Sequence, residues 1–338
     1  MPSPVPPTRV LPKDIFPSVD IGTCSSPLAK ASLGSTLQVP VQRLQGKVTT
    51  RLWSSIIYWK ELHCVQAIGS GGFGSVYKAK YLGATVALKK VKKCSKNKLA
   101  SRQSFWAELN AAHLRHPNIV RVIAATTCIP TDFGDESSIG TIIMEYVGSR
   151  NLQQVIYGCV EETLESDKWL LYSLDITRGL QFLHSHLIVH LDIKPANVLV
   201  SREGVCKIAD FGCSVQMDTK RQASDAVPLI HTGGTYTHTA PELLKGEGIS
   251  AKSDIFSFGI TMWQLMTREQ PYTGDRQHVL YAVVAHNLRP KVEEQAVFQS
   301  EHGRLCKTLL SRCWAGEPLR RFSAQELITQ LENLHVKL

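Results

Sequence analysis

The sequence predicts an α+β protein in two parts, a small β-rich lobe followed by a larger, mainly helical one. Three observations predict it. From Lys60 to Lys90 the residues alternate in a β-rich pattern broken by a single glycine loop. After Gly148 the apolar residues recur at helical spacing, most clearly in Trp169, Tyr172, Ile176, Leu180 and Leu183. The first 58 residues hold eight of the sixteen prolines and little periodicity, which sets them apart from both lobes. A chain of 338 residues, 43% of them hydrophobic, can bury a large core in one two-lobed domain or in two domains.

Taken in order, residues 1–58 read as a mostly disordered extension, because so polar and Pro-rich a segment cannot bury enough apolar surface to order itself. Its end, Leu52–Trp59, is too apolar for that description and is predicted to dock on the folded domain, which spans 59–338. A helix is predicted at about 101–115, with strands at 119–127 and 141–146. Residues 59–144 make the first lobe, 145–148 a hinge and 149–338 the second lobe. Ser166 reads as the N-cap of the helix that carries the Trp169 stripe. The last helix is predicted over Ser323–Val336.

The formal charge of +9 raises a nucleic-acid partner. The densest basic run, Lys89–Lys98, has no interleaved aromatics and matches no nucleic-acid module, so it reads as a solvated surface. Nine scattered cysteines without a Cys-x-x-Cys pair suggest free thiols in a reducing compartment. The N-terminus has no apolar signal region, and a proline rather than a glycine follows Met1, which argues against myristoylation. No apolar stretch is long enough to span a bilayer, and the expected location is cytoplasmic.

The chemistry concentrates in His190-Leu191-Asp192-Ile193-Lys194-Pro195-Ala196-Asn197, followed by Asp210-Phe211-Gly212. One carboxylate for an attacking hydroxyl (Asp192), one cation for moving charge (Lys194) and two oxygen ligands for Mg²⁺ (Asn197, Asp210) are what transfer of a phosphoryl group from a metal-bound nucleotide requires. Upstream, Gly69-Ser70-Gly71-Gly72-Phe73-Gly74-Ser75-Val76 fits G-x-G-x-x-G-x-V. A strand pattern follows it instead of a helix, which argues for a β-turn over a ligand and against a dinucleotide fold. In Val86-Ala87-Leu88-Lys89, alternation puts Ala87 and Lys89 on one face. Glu108 lies on the inward stripe of the first helix with Phe105, Leu109 and Ala112, where a carboxylate needs a cation.

These motifs together resemble the protein kinase family over roughly the last four-fifths of the chain, and the resemblance implies a bilobal kinase fold. It implies that Lys89 reaches the α/β-phosphates of ATP and pairs with Glu108. It places Ile68, Val76, Ala87 and Leu199 around the adenine, Met144 behind it, and Glu145 and Val147 in the hinge. Thr235 would close the substrate groove by bridging Asp192 and Lys194. Glu242 of Ala240-Pro241-Glu242 would pair with Arg321, and Asp254 would brace the catalytic loop. Within the family the chain is similar to MAP kinase kinase kinases of oocyte meiotic maturation. That similarity implies a serine/threonine kinase whose protein substrate is a MAP kinase kinase; the chain is expected to be monomeric.

Two residues depart from the family pattern. Leu191 stands where most members carry the arginine of His-Arg-Asp, and His238 where a tyrosine is common before Ala-Pro-Glu. A pseudokinase scaffold would lack Lys89, Asp192, Asn197 or Asp210, and all are present. A tyrosine kinase is disfavoured by Lys194 and Thr235. A second Asp-Phe-Gly, Asp132–Gly134, precedes the hinge with no catalytic loop before it and reads as a chance surface loop.

Overall fold

A computed structural model describes residues 54–71, 74–93, 98–130, 138–158, 168–217 and 236–336. The folded part starts ahead of its first strand. Ser54 bridges Ala124 in parallel, with N–H···O bonds of 2.9 Å to Ile123 and from Ala125. Ile57 is buried and Trp59 packs beside it, so the apolar stretch before the kinase-like motifs covers one face of the sheet.

β1 (Leu62–Gly71), β2 (Gly74–Tyr81) and β3 (Ala84–Lys92) form a meander. After α1 (Lys98–Asn110), β4 (Val122–Thr126) and β5 (Ser138–Glu145) complete an antiparallel sheet of order β1-β2-β3-β5-β4. The inner face of α1 packs Phe105, with Ala112 just beyond it, against Val91, Val122, Ala125 and Ile142. The helix starts three residues earlier and ends five residues earlier than the pattern predicts. Past Asn110 the bonding tightens to i→i−3, with Ala112 donating to Leu109 and Leu114 to Ala111. The Arg115 guanidinium then caps the carbonyls of Ala112 and Leu114 at 2.8 and 2.7 Å. The strand predicted from residue 119 begins at Val122 instead. Ile119 bridges Ile208 of the second lobe, with the Val120 N–H donating to the Ile208 carbonyl and the Asn118 carbonyl accepting from the Ile208 N–H, which ties the lobes together behind the cleft.

The second lobe opens with β6 (Arg150–Asn151) and α2 (Leu152–Tyr157), whose N-terminus is a capping box of Asn151 and Gln154. Ser166 lies outside the described residues, so its capping role has no structural counterpart here. α3 (Lys168–Ser185) buries Tyr172, Ile176, Leu180 and Leu183 along the predicted stripe. Short strands β7 (Ile188–Val189), β8 (Val198–Val200), β9 (Cys206–Ile208) and β10 (Val215–Gln216) follow; β6, β8 and β9 form one small sheet and β7 with β10 another. α4 (Pro241–Leu244) leads to α5 (Ala251–Thr267), which is buried on all sides from Ser253 to Leu265 and forms the axis of the lobe. α6 (Arg276–Ala285), α7 (Glu301–Cys313) and α8 (Ala324–His335) surround it. Ser323 and Val336 are the caps of α8, with Ser323 and Glu326 in a capping box. Asp132–Gly134 falls between β4 and β5, outside the described residues. Among the described residues no helix is long and apolar enough to cross a membrane.

Candidate active site

The glycine loop joins β1 to β2, with Gly69 opposite Val76, Ser70 opposite Ser75 and Gly71 opposite Gly74. Gly72 and Phe73 lie outside the described residues. Gly74 is a packing requirement, because a Cβ there would sit 2.2 Å from the Lys90 carbonyl oxygen. At Gly69 and Gly71 a Cβ would meet nothing within 4 Å, so these two face open space where a ligand can approach the backbone. Sheet register puts Val76 opposite Lys89 and Ala87 opposite Met144, hence on one face. Ile68 is exposed at the rim, Ala87 is buried, and Leu199 lies half-buried on β8 of the other lobe. Between them run Glu145, Tyr146 and Val147. The Glu145 carboxylate is engaged, accepting from the Arg121 N–H at 2.8 Å and from Lys207 Nζ at 3.0 Å.

Lys89 sits where the lobes meet. Its ammonium donates to Glu108 of α1 and, at 2.7 Å, to Asp210 of the second lobe. Lys89 and Glu108 are both buried. Burial works against the ammonium, but the carboxylates of Glu108 and Asp210 hold it far above the usual lysine range. Burial likewise works against Asp210, and Lys89 outweighs it, holding that carboxyl well below the usual range. Glu108 is pushed up by burial, against the pull of Lys89. Asp210 adopts φ +61°, a left-handed conformation that starts the Phe211–Cys213 turn. α1 lies directly on that turn: a Cβ at Gly212 would come 2.4 Å from Ser104 Oγ. The position of α1 and the aim of Asp210 are thereby one variable.

The loop before β8 gathers the remaining groups. Lys194 Nζ donates to both Asp192 oxygens, at 3.0 and 2.8 Å. Asn197 Nδ2 donates to the Asp192 carbonyl and to Oδ2, both at 2.8 Å. Asp254 of α5 holds the loop from beneath. Its oxygens accept from the His190 N–H at 2.9 Å, the Leu191 N–H at 2.8 Å and His184 Nε2 at 2.9 Å. These bonds retain Leu191 at φ +65°, which costs a leucine strain that this loop must offset. The Leu191 side chain packs on the lobe core and carries no charge to the site. His190 meets Phe211 edge-on, 5.0 Å between ring centres, joining the loop to the Asp210 turn.

The chain matches the protein kinase domain over residues 62–331. It belongs to the protein kinase family. It is 49% identical to the serine/threonine-protein kinase mos of Gallus gallus, over 100% of both chains. It is 49% identical to the proto-oncogene serine/threonine-protein kinase mos of Sus scrofa, again over 100% of each, and to that of Mus musculus over 98% of each.

A protein kinase domain works with a nucleoside triphosphate and a divalent metal, and the residues present fit that pair. Around the cleft three carboxylates (Glu108, Asp192, Asp210) face two ammonium groups (Lys89, Lys194), leaving excess negative charge for a cation. The amide hydrogens of Asn197 are spent on Asp192, so its carbonyl oxygen is the atom left to ligate. Oxygen donors of this kind suit a hard ion that takes its other ligands from phosphates and water.

Thr235 lies outside the described residues of this kinase. At the foot of the segment that precedes α4, Arg321 forks onto Glu242 with two 2.7 Å bonds. Four contributors escape the motifs: Ser104, which seats α1; Lys207, which anchors Glu145; His184, which shares Asp254; and Gln264, which bonds His238 at 2.6 Å. Lys207 and Gln264 are each one polar residue inside an apolar run, whereas Ser104 and His184 lie among other polar residues. For Lys207 and Gln264 that is a signal, though it does not name the partner.

Proposed function

We propose that this enzyme is a serine/threonine protein kinase that uses ATP and Mg²⁺ and takes a MAP kinase kinase as its protein substrate. The observation that carries the chemistry is the convergence of Lys89, Asp192, Lys194, Asn197 and Asp210 at one cleft between the lobes. Asp192 would take or orient the proton of the attacking hydroxyl. Lys194 would neutralise charge on the transferring group, and Lys89 would hold the α/β-phosphates. Asn197 and Asp210 would ligate Mg²⁺, which when bound neutralises the phosphate oxygens. Ile68, Val76, Ala87, Met144 and Leu199 would enclose the adenine, with the backbone of Glu145–Val147 at its edge, and residues 59–338 would form the catalytic unit. Serine or threonine as acceptor is supported by Lys194 two residues after Asp192 and by the serine/threonine-protein kinases that match the chain over its full length.

The test is a reaction of the full chain with labelled ATP, first on a protein panel and then on a catalytically dead MAP kinase kinase. Label is expected on phosphoserine and phosphothreonine. Dominant phosphotyrosine on either substrate refutes the acceptor class, and no label on the MAP kinase kinase refutes the partner.

Activity should also be independent of phosphate in the segment between Asp210 and Glu242. Leu191 supplies no cation beside Asp192, and a charge-assisted pair that cannot form cannot order the segment. The rival cations are Lys220 and Arg221, which lie outside the described residues. Phosphatase treatment, checked by mass spectrometry for a bare segment, should leave the rate unchanged. A fall of tenfold or more, about 1.4 kcal/mol in barrier, traced to a site in that segment overturns the prediction.

A further inference from the structure

We infer that the outward face of α1 is a docking surface for an acidic, amphipathic helix of a partner protein. This surface takes no part in the chemistry of the cleft. It is marked out first by where the chain keeps its charge. The formal charge is +9, and one stretch accounts for it. Residues 62–130 hold 11 lysines and arginines and a single acidic residue, Glu108. Glu108 is buried against Lys89, so it offsets nothing at the surface. The rest of the chain carries nearly equal numbers of acidic and basic side chains. The first lobe is therefore the source of a positive field that the transfer of a phosphoryl group does not use.

α1 runs through the middle of that stretch. Its buried side holds Ser101, Ser104, Phe105, Ala107 and Glu108. The other side presents Leu99, Arg102, Gln103, Trp106 and Asn110, all exposed. These positions recur at i, i+3, i+4, i+7 and i+11, so they form one stripe. Leu99 and Trp106 are 57% and 59% exposed. They stand two turns apart, about 10 Å along the axis. The Trp106 ring meets Phe105 edge-on, 6.2 Å between ring centres, and of the two only Phe105 enters the core. Among the described residues no carboxylate pairs with Arg102. A lone exposed apolar residue is ordinary, but two in line beside an arginine match the anchors of protein interfaces.

The occupant follows from that composition. Two apolar side chains two turns apart fit a second helix with apolar residues at i, i+3 or i+4, and i+7. The unopposed positive field selects Asp and Glu for its flanks. Residues 1–53 of this chain do not meet that requirement, with six lysines and arginines against two aspartates. An anionic bilayer calls for a broad apolar face, whereas Gln103 and Arg102 interrupt this one. A nucleic-acid backbone would meet the charge and leave Leu99 and Trp106 uncovered.

The experiment selects peptides from a randomised helical library on the immobilised full chain, then measures the enriched ones by fluorescence anisotropy. Binding is read directly, so the outcome does not depend on kinase activity. Enriched sequences should be acidic, with apolar residues at helical spacing. Trp106→Ala and Arg102→Glu should each weaken the best peptide at least tenfold. Both variants should melt like wild type, because neither side chain enters the core. Leu99→Gln repeats the test should a position-106 variant fail to fold. Tyr281→Ala, at an exposed aromatic of the second lobe, should leave binding unchanged. A scan of single Glu→Lys exchanges in the peptide should contain one that restores binding to Arg102→Glu within about threefold. Enrichment of peptides that are not acidic overturns the inference. So does binding that Trp106→Ala and Arg102→Glu both retain, or the absence of any enriched peptide. Phosphatidylserine vesicles and double-stranded DNA are assayed alongside. Capture of either that these variants lose, with no peptide bound, assigns the face to lipid or nucleic acid and overturns the inference equally.

Discussion

Asp210→Asn should lower the rate of phosphoryl transfer on the order of 10²–10³ while leaving the fold intact, as expected when a preorganised electrostatic group is removed. The substitution conserves shape, so the left-handed turn at φ +61° and the Ser104–Gly212 contact survive. What goes is the charge proposed to ligate Mg²⁺, together with one of the two carboxylates on Lys89. Lys89→Met should reduce the rate comparably but through a different loss. It removes the proposed phosphate cation and strands Glu108, which is 3% exposed. Burial already pushes Glu108 up, so without Lys89 it should take a proton rather than remain an unpaired buried charge. The two variants are thus separable. Asp210→Asn should melt like wild type, whereas Lys89→Met should melt lower. Wild-type turnover in either purified protein, measured with saturating Mg-ATP, would remove the active-site assignment.

Much of this architecture is legible in the chain because its signals are local. A G-x-G-x-x-G loop followed by strand alternation gives β1–β3, and a separation of five positions from Asp192 to Asn197 places both in one turn. Ser323 with Glu326 marks α8 to within a residue. The readings fail where a distant partner decides. Ile119 and Val120 are good strand residues, yet their backbone pairs with Ile208, so β4 starts later than the pattern implies. The first helix stops at Asn110, where the backbone tightens to i→i−3 bonds and Arg115 then holds the carbonyls of Ala112 and Leu114. In the site, Lys89 and Glu108 are legible because a buried carboxylate demands a cation, and the family resemblance implies that Asp254 braces the catalytic loop, but its bond to His184 of α3 is not legible. Nothing within a few positions of Asp254 says that its carboxylate also reaches α3. His238 shows the same limit: the sequence marks it as a departure, while the partner of its ring, Gln264, lies 26 positions away on α5.

Glu242→Gln should be the most destabilising isosteric change in the second lobe. Arg321 is fully enclosed and Glu242 nearly so, with side chains 0% and 4% exposed. The guanidinium also donates to the carbonyls of Ala315 at 2.8 Å and Lys252 at 3.0 Å, and lies over the Phe256 ring at 5.1 Å. Ser253 Oγ completes the carboxylate at 2.9 Å. Every one of these groups is satisfied, so deleting one charge leaves the other buried and uncompensated, a loss of roughly 3–5 kcal/mol. For a folded unit of this size that corresponds to a fall in Tm on the order of 10 °C. Arg321→Met alone should do equal harm, stranding the carboxylate instead. The double variant Glu242→Gln with Arg321→Met should be less damaging than the sum of the two, because each single change already contains the cost of the orphaned partner. Thermal melts of the four proteins measure this directly. Additive losses would show that the pair is not coupled, and a Tm within about 2 °C of wild type for Glu242→Gln, well under the expected fall, would show that the segment's foot is held by packing alone.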